Sequence, residues 1–469
     1  MNEAPYDIAV IGSGPGGYRA AILAALKGQR VAIIEKADWG GCCLNRGCVP
    51  KKDWHHTAQL VAASRHFAGR GITGTLSADM ATAWMHQEAI VANVQESYVD
   101  YMKRLKITTL SGNARFDDPH TLIVQGADGS EQTLGARAFV IATGAGAQVP
   151  PPFEALPGKV LTSDMLFDAP PPDGNRVAII GSGVIATEFA FIFRMLGKEV
   201  VWLARSEALR KIPFSPQART TLKNALARHD IALRRVTGFA SVDTDHDGVR
   251  IMLTDGDAVE VDWVCLGTGR MPYTEGLNIE AIGIECDAHG FIRRNAQLQT
   301  AQPHIYAIGD VASPEMTANH ALADATVAIG NIVDGHEQAQ DSTWVPLAVY
   351  SAVELARIGM DEDTAEDEGL EPAVGFAAFE TSPRALGQDD TDGFVRLIAD
   401  MDSGALLGGE IIGAEAGELI HLLSLAPDRE SALRWLAAGR YNHPARAEEL
   451  ANATETLASK WGLAGSILG

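Results

Sequence analysis

The chain has 469 residues, enough for about three domains at roughly 150 residues each, and 46% apolar residues to fill their cores. Its formal charge of −22 argues against nucleic acid or an anionic membrane as partner. Five cysteines in so long a chain fit a reducing compartment and one reactive pair, not a disulfide scaffold.

Residues 1–5 lead straight into an apolar strand, with no signal peptide before it. No run reaches 18 apolar residues, and the stretch 189–196 is cut by Arg194, so a soluble cytoplasmic protein is expected. The strand, 6–11, runs into Gly12-Ser13-Gly14-Pro15-Gly16-Gly17 and a helical run, 18–27. A second apolar strand, 30–34, ends at Glu35. Strand, glycine turn, helix, strand and acid together make a dinucleotide-binding pattern, which a lone glycine motif would not. Gly12 permits the tight turn, Gly14 lets the backbone approach a pyrophosphate at the helix N-terminus, and Gly17 lets helix and strand close up. Glu35 would accept from a ribose diol.

Three of the five cysteines fall within Gly40-Gly41-Cys42-Cys43-Leu44-Asn45-Arg46-Gly47-Cys48-Val49-Pro50-Lys51-Lys52. Pro50, followed by lysines and an apolar-periodic stretch to 67, predicts a helix start. A thiol at a helix N-terminus beside lysines is pushed towards thiolate, the form that attacks disulfides. Zinc is the rival, with His55 and His56 nearby, but a structural site needs two ligand pairs and Cys265 and Cys286 stand alone.

The stretch resembles the active-site motif of the flavin-dependent pyridine nucleotide–disulfide oxidoreductases, Gly-Gly-Thr-Cys-x4-Cys-x-Pro-x-Lys. That family includes dihydrolipoamide dehydrogenase, glutathione reductase and mercuric reductase. The resemblance implies a redox pair of Cys43 and Cys48, with Cys43 the outer thiol and Cys48 in charge-transfer contact with FAD. Cys42 stands where threonine is usual, as a bystander or competing thiol; a Cys42–Cys48 pair is disfavoured. The family lysine falls on Lys52.

Residues 80–105 read as long helical segments, on which Tyr98 and Tyr101 are expected to pack. Thr143 and Gly144, after the apolar run 138–141, resemble the family's exit from the flavin domain, and Pro150-Pro151-Pro152 marks a boundary. The dinucleotide pattern then recurs: strand 177–180, turn Gly181-Ser182-Gly183-Val184-Ile185-Ala186, helix 187–196 and strand 198–203. Two such patterns imply two dinucleotides, with hydride passing between them. The second ends in Ala204-Arg205 and not an acid, so Arg205 with Arg210 or Lys211 is expected to hold the 2′-phosphate of NADP; the alternative is a solvated basic turn. By resemblance, Glu188 pairs with Lys52 near the flavin.

Short alternating strands occupy 234–272 and end at Gly267-Thr268-Gly269-Arg270, which resembles the family's return to the flavin domain. The segment 300–310 resembles its second flavin motif, in which Gly309 makes the turn and Asp310 binds the ribitol hydroxyls. A helix is expected over 318–332. Strands at 344–349, 374–379, 394–399 and 406–412 form an antiparallel domain, which in the family makes a homodimer. Tyr441-Asn442-His443-Pro444-Ala445-Arg446-Ala447-Glu448 resembles the family's His-Pro-x-x-x-Glu motif. His443 would take a proton from a dithiol and return it, with Glu448 orienting the ring; in the family this pair serves the partner subunit's disulfide.

The expected fold is α/β: two Rossmann-like domains for FAD and NAD(P), then an α+β dimerisation domain. Boundaries are expected at 1–152 and 274–343 for the flavin domain, 153–273 for the nucleotide domain and 344–469 for the interface. The expected activity is that of a dihydrolipoamide dehydrogenase type, leaning to NADP and acting on a lipoyl-bearing protein or a small disulfide. The rival is an NADPH-dependent reductase like glutathione reductase. The chain's last residues hold no cysteine pair, which disfavours mercuric and large thioredoxin reductases. A flavin redox sensor without turnover is disfavoured by the retained Cys43, Cys48, His443 and Glu448.

Overall fold

The computed structural model describes residues 5–244 and 248–468, and the chain divides into two compact units. One takes Met1–Trp54, Met80–Asp173 and Thr268–Ser342; the other takes His55–Asp79, Gly174–Gly267 and Thr343–Gly469.

In the first unit, parallel strands lie in the order Thr108–Ser111, Val31–Glu35, Tyr6–Ile11, Glu131–Ile141 and Ile305–Ala307. Residues 8–11, 31–34 and 138–141 are continuous apolar runs because both faces of the sheet are covered there. Alternate residues split between the faces: Ile8, Val10 and Ile33 pack with Ala20, Ala24 and Ala328 of the helices Pro15–Leu26 and Ala318–Asp334. Ala9, Ile11 and Ile34 pack on the other side with Phe116 and Phe139. The chain leaves Tyr6–Ile11 for Val31–Glu35 on one side, while Glu131–Ile141 flanks it on the other. The glycine turn after Ile11 therefore sits where the strand order reverses, the crevice in which such sheets bind ligands.

The second unit holds a similar parallel set, Leu233–Arg235, Glu199–Ala204, Arg176–Ile180 and Trp263–Leu266. Its helix Val184–Met195 stacks Phe189 on Phe193 at 5.0 Å, and Phe193 meets Trp263 edge-on at 5.3 Å. Burying an aromatic side chain of this size contributes about 1.5–3 kcal/mol. The same unit contains an antiparallel sheet, Leu347–Tyr350, Glu354–Gly359, Leu406–Ile412, Phe394–Asp400 and Pro372–Ala378. Helix Glu448–Lys460 lies on that sheet, burying Leu450, Ala453 and Leu457. Thr456 Oγ1 donates to the Phe376 carbonyl at 3.0 Å, and Trp461 Nε1 to that of Val374 at 2.9 Å.

Three elements differ from the sequence reading. The cysteine helix starts at Cys48, not Pro50, and runs to Ala63 before a 3-10 turn, Ser64–His66. Pro50 is tolerated because an amide in the first turn has no intrahelical acceptor. The strand expected over 344–349 is Leu347–Tyr350, and Glu354–Gly359 is an additional strand. Its burial does not alternate, since the adjacent Leu355 and Ala356 are both buried, and the half-buried Glu354 and Arg357 interrupt the apolar run.

Candidate active site

Gly40, at φ 97°, starts the short helix Gly41–Asn45, and the next helix begins at Cys48. Cys43 and Cys48 are joined as a disulfide, with Cα atoms 4.7 Å apart. Asn45 Nδ2 donates to Gly41 and Trp39 carbonyls at 2.9 and 3.1 Å, and Arg46 pairs with Asp38 at 2.6 Å and Asp168 at 2.5 Å. The loop between the cysteines is thus held from both sides. A thiolate released at Cys48 would sit at the positive end of a helix.

Cys42 is a free thiol in a polar cluster that the sequence reading did not foresee. Its Sγ lies 3.2 Å from Arg270 Nη2 and 3.6 Å from Asp164 Oδ1. Arg270 Nη1 donates to Asp164 Oδ1 at 2.7 Å. Burial pushes the Cys42 thiol up to about 11, against the pull of Arg270. A thiol held protonated in this way is a poor competitor for the neighbouring disulfide, so the bystander alternative fits better. Nothing in the sequence pointed to Asp164.

The two glycine turns have the same build. Gly12 and Gly181 adopt φ 98° and 126°, and a Cβ at either would strike a backbone carbonyl, that of Ala142 or Gly267. A Cβ at Gly17 would strike the Gly12 carbonyl. A Cβ at Gly14 or Gly183, by contrast, would meet no protein atom within 4 Å. Each turn leaves open space at its second glycine, beside a helix N-terminus, which fits a pyrophosphate. Ala186 packs beneath the second turn against Gly267. Glu35 is buried, with Oε2 accepting from Ser13 N at 2.8 Å and Ser13 Oγ at 2.7 Å, and Oε1 from Ala37 N at 2.9 Å. Its carboxylate therefore shapes the turn.

The segments read as exit from and return to the flavin domain pair as strands Ala145–Ala147 and Arg270–Pro272. Thr143 Oγ1 donates to the Tyr273 carbonyl at 2.6 Å, the Gly144 carbonyl accepts from Tyr273 N at 2.8 Å, and Gln148 N donates to the Gly269 carbonyl at 2.9 Å. Gly309, at φ 68°, donates its N–H to Asp324 Oδ2 at 3.0 Å. Asp310 follows, half-buried and raised above the usual carboxylate range by burial, with a hydrogen bond from its own amide. A half-buried carboxylate with further acceptor capacity fits the hydroxyls of a ribityl chain. Tyr18 stacks on Tyr98 at 4.0 Å, as packing.

In the second unit, Arg205 directly follows strand Glu199–Ala204. Arg205, Arg210 and Lys211 are all exposed and make no ion pair among the described residues. Glu188 is fully buried on its helix, accepting from Tyr350 N at 2.9 Å. Lys52 stands on the helix Cys48–Ala63.

His443 Nδ1 and Glu448 Oε1 are 2.9 Å apart, and Glu448 Oε2 accepts from Ala445 N at 2.7 Å. Glu448 is held below the usual carboxylate range by the Ala445 amide and then by His443. With Nδ1–H donated to Glu448, Nε2 of the exposed ring is left free to accept a proton. Arg446, quoted within this motif without a role, is buried.

The comparisons agree with this arrangement. The profile of the pyridine nucleotide-disulphide oxidoreductases matches residues 6–329, and that of their dimerisation domain matches 345–454. A dihydrolipoyl dehydrogenase of Thermus scotoductus is 32% identical over 461 residues, covering 96% of this chain and 97% of its own. A glutathione reductase of Burkholderia cepacia is 34% identical over 459 residues, covering 96% and 98%. The crystal structure of LpdA from Mycobacterium tuberculosis shares the fold, with a TM-score of 0.89 at 23% identity over 96% of this chain and 99% of that one.

Proposed function

The chain belongs to the pyridine nucleotide-disulphide oxidoreductases, and from that premise we propose that it is a dihydrolipoamide dehydrogenase-type enzyme in the cytoplasm. The observation that carries the reading is the Cys43–Cys48 disulfide at a helix N-terminus. We place its flavin domain at residues 1–152 and 274–343, its nucleotide domain at 153–273 and its dimerisation domain at 344–469.

When bound, FAD and the pyridine nucleotide carry two electrons onward as hydride. The chain's own residues handle the sulfur and the protons. His443, oriented by Glu448, takes a proton from one thiol of the substrate. The resulting thiolate attacks Cys43, forming a mixed disulfide and releasing Cys48 as thiolate. The substrate's second thiol then attacks the sulfur joined to Cys43 and displaces it: Cys43 leaves as a thiol carrying the second proton, Cys48 stays a thiolate and His443 holds the first proton. The products are an oxidised substrate and a reduced cysteine pair. Lys52 and Glu188 are assigned to the flavin's surroundings. Glycine turns at Gly12, Gly14 and Gly17, with Glu35, Thr143, Gly144, Gly269, Arg270, Gly309 and Asp310, serve FAD; Gly181, Gly183 and Ala186 serve the nicotinamide nucleotide.

Arg205, Arg210 and Lys211 favour NADPH, which also supports the second reading, a reductase of small disulfides such as glutathione disulfide. Turnover with dihydrolipoamide and with glutathione disulfide, each with both nicotinamides, tests the two. Activity confined to glutathione disulfide with NADPH would replace the first reading by the second. Within either, Arg205→Ala should lower kcat/KM for NADPH by roughly ten- to hundredfold, about 1.5–3 kcal/mol, and leave NADH nearly unchanged. A wild type preferring NADH, with neither ratio moved by the substitution, would reduce the basic cluster to a solvated turn.

A further inference from the structure

We infer that Arg446 is a positioning residue for dithiol chemistry, anchoring the His443–Glu448 turn from beneath. This rests on the reading of His443 and Glu448 as the proton-transfer pair.

Residues 442–444 are exposed, yet the Arg446 side chain is 0% exposed. Its guanidinium lies 5.0 Å over the Phe379 ring. Nη2 donates to Gln388 Oε1 at 3.1 Å and to the Asp390 carbonyl at 2.9 Å, and stands 3.6 Å from Asp390 Oδ2. Nε and Nη1 are buried without a hydrogen-bond partner among the described residues. A buried cation with two unmet donors is a poor choice for stability, since an apolar side chain of similar volume is commonly neutral or better there. The contacts instead explain its place. The turn is closed on its inner side by Glu448 on Ala445 N, and Arg446 ties it to the segment after helix Pro383–Gln388. That segment is itself pinned: Asp389 pairs with Arg70 at 2.7 Å, and Asp392 pairs with Arg228. Arg446 thus fixes the base of an exposed loop whose histidine must meet a substrate thiol. A displacement of about 1 Å at such a group can lower a rate a hundredfold.

Arg446→Met keeps length and volume but cannot donate. In the flavin-loaded enzyme, kcat for dihydrolipoamide should fall about tenfold, with KM within twofold and the melting temperature unchanged or higher. Arg446→Lys should restore part of kcat. Gln388→Ala, which leaves the arginine in place, should lower kcat several-fold and have no further effect on top of Arg446→Met. Full kcat in Arg446→Met overturns the inference, as does a loss of rate that follows a loss of folded protein. Should Arg446→Met not fold, an unchanged kcat in Gln388→Ala overturns it. His443→Ala separates the two claims: if that variant keeps its rate, the proton-transfer reading fails; if it is inactive while Arg446→Met is not, only the anchor fails.

Discussion

At the scale of single residues, the site separates three cysteines that are nearly adjacent in sequence. Cys43 and Cys48 share a bond, whereas Cys42 is turned to Arg270 and Asp164. Cys48→Ser should abolish turnover while flavin absorbance per chain is retained, because neither glycine turn includes a cysteine. Cys42→Ser should keep most of the activity; equal losses in the two variants would mean that the wrong pair is assigned. A second residue-scale expectation concerns His229, whose Nε2 lies 2.8 Å from Arg65 Nη1. Burial, and then Arg65, Arg228 and Arg194, lower its pKa from 6.5 to about 4. A group depressed on folding contributes stability that is complete above its unfolded pKa and is lost as pH falls through the folded one. The melting temperature should therefore drop between about pH 6.5 and 4. His229→Gln should flatten that part of the profile; identical pH profiles for the two proteins would refute the assignment.

At the scale of elements, glycines in one turn do different jobs, and substitution can tell them apart. Gly17→Ala drives a methyl into the Gly12 carbonyl, so strand and helix must separate and the flavin unit should lose thermal stability. Gly14→Ala has room, so the protein should fold normally but hold flavin at least tenfold more weakly. A Gly14→Ala protein with wild-type flavin affinity would take the pyrophosphate away from this turn. Both glycine motifs were legible because a tight turn leaves few residue choices and the flanking apolar runs mark buried parallel strands. The His-Pro-x-x-x-Glu segment was legible for the same reason, as residue types at fixed spacing. What escaped was of another kind. Asp164 meets Cys42 and Arg270 across more than a hundred residues, and Arg446 finds Phe379, Gln388 and Asp390 only through the tertiary fold. Glu354–Gly359 escaped because its buried residues do not alternate and Glu354 and Arg357 break its apolar run, while its pairing with Leu406–Ile412 is set by the tertiary fold.

At the scale of the molecule, the dimerisation domain makes the homodimer, and the disulfide and the His443–Glu448 pair lie in different units of the chain. If each site is completed by a partner, mixing inactive Cys48→Ser and inactive His443→Ala chains should recover about a quarter of wild-type activity, because half of randomly paired dimers carry one intact site of two. Proven subunit exchange without recovery would place the whole site in one chain. The interleaving of segments also has a consequence during synthesis. Glu131–Ile141 pairs with Tyr6–Ile11 and Thr121–Gln125 at an early stage, but Ile305–Ala307, which pairs with residues 139–141, and Asp310 beyond it are translated much later. At about 5–20 residues per second, the ribosome needs roughly 10–30 s to travel from Ile141 to Asp310. For that interval residues 139–141 lack one neighbouring strand, and the whole segment Gly174–Gly267 appears before that stretch of edge can be closed. With Asp310 in the flavin role proposed above, flavin capture is tied to a late moment of translation, and nascent chains that stop before residue 305 leave the ribosome with that stretch of edge open and without Asp310.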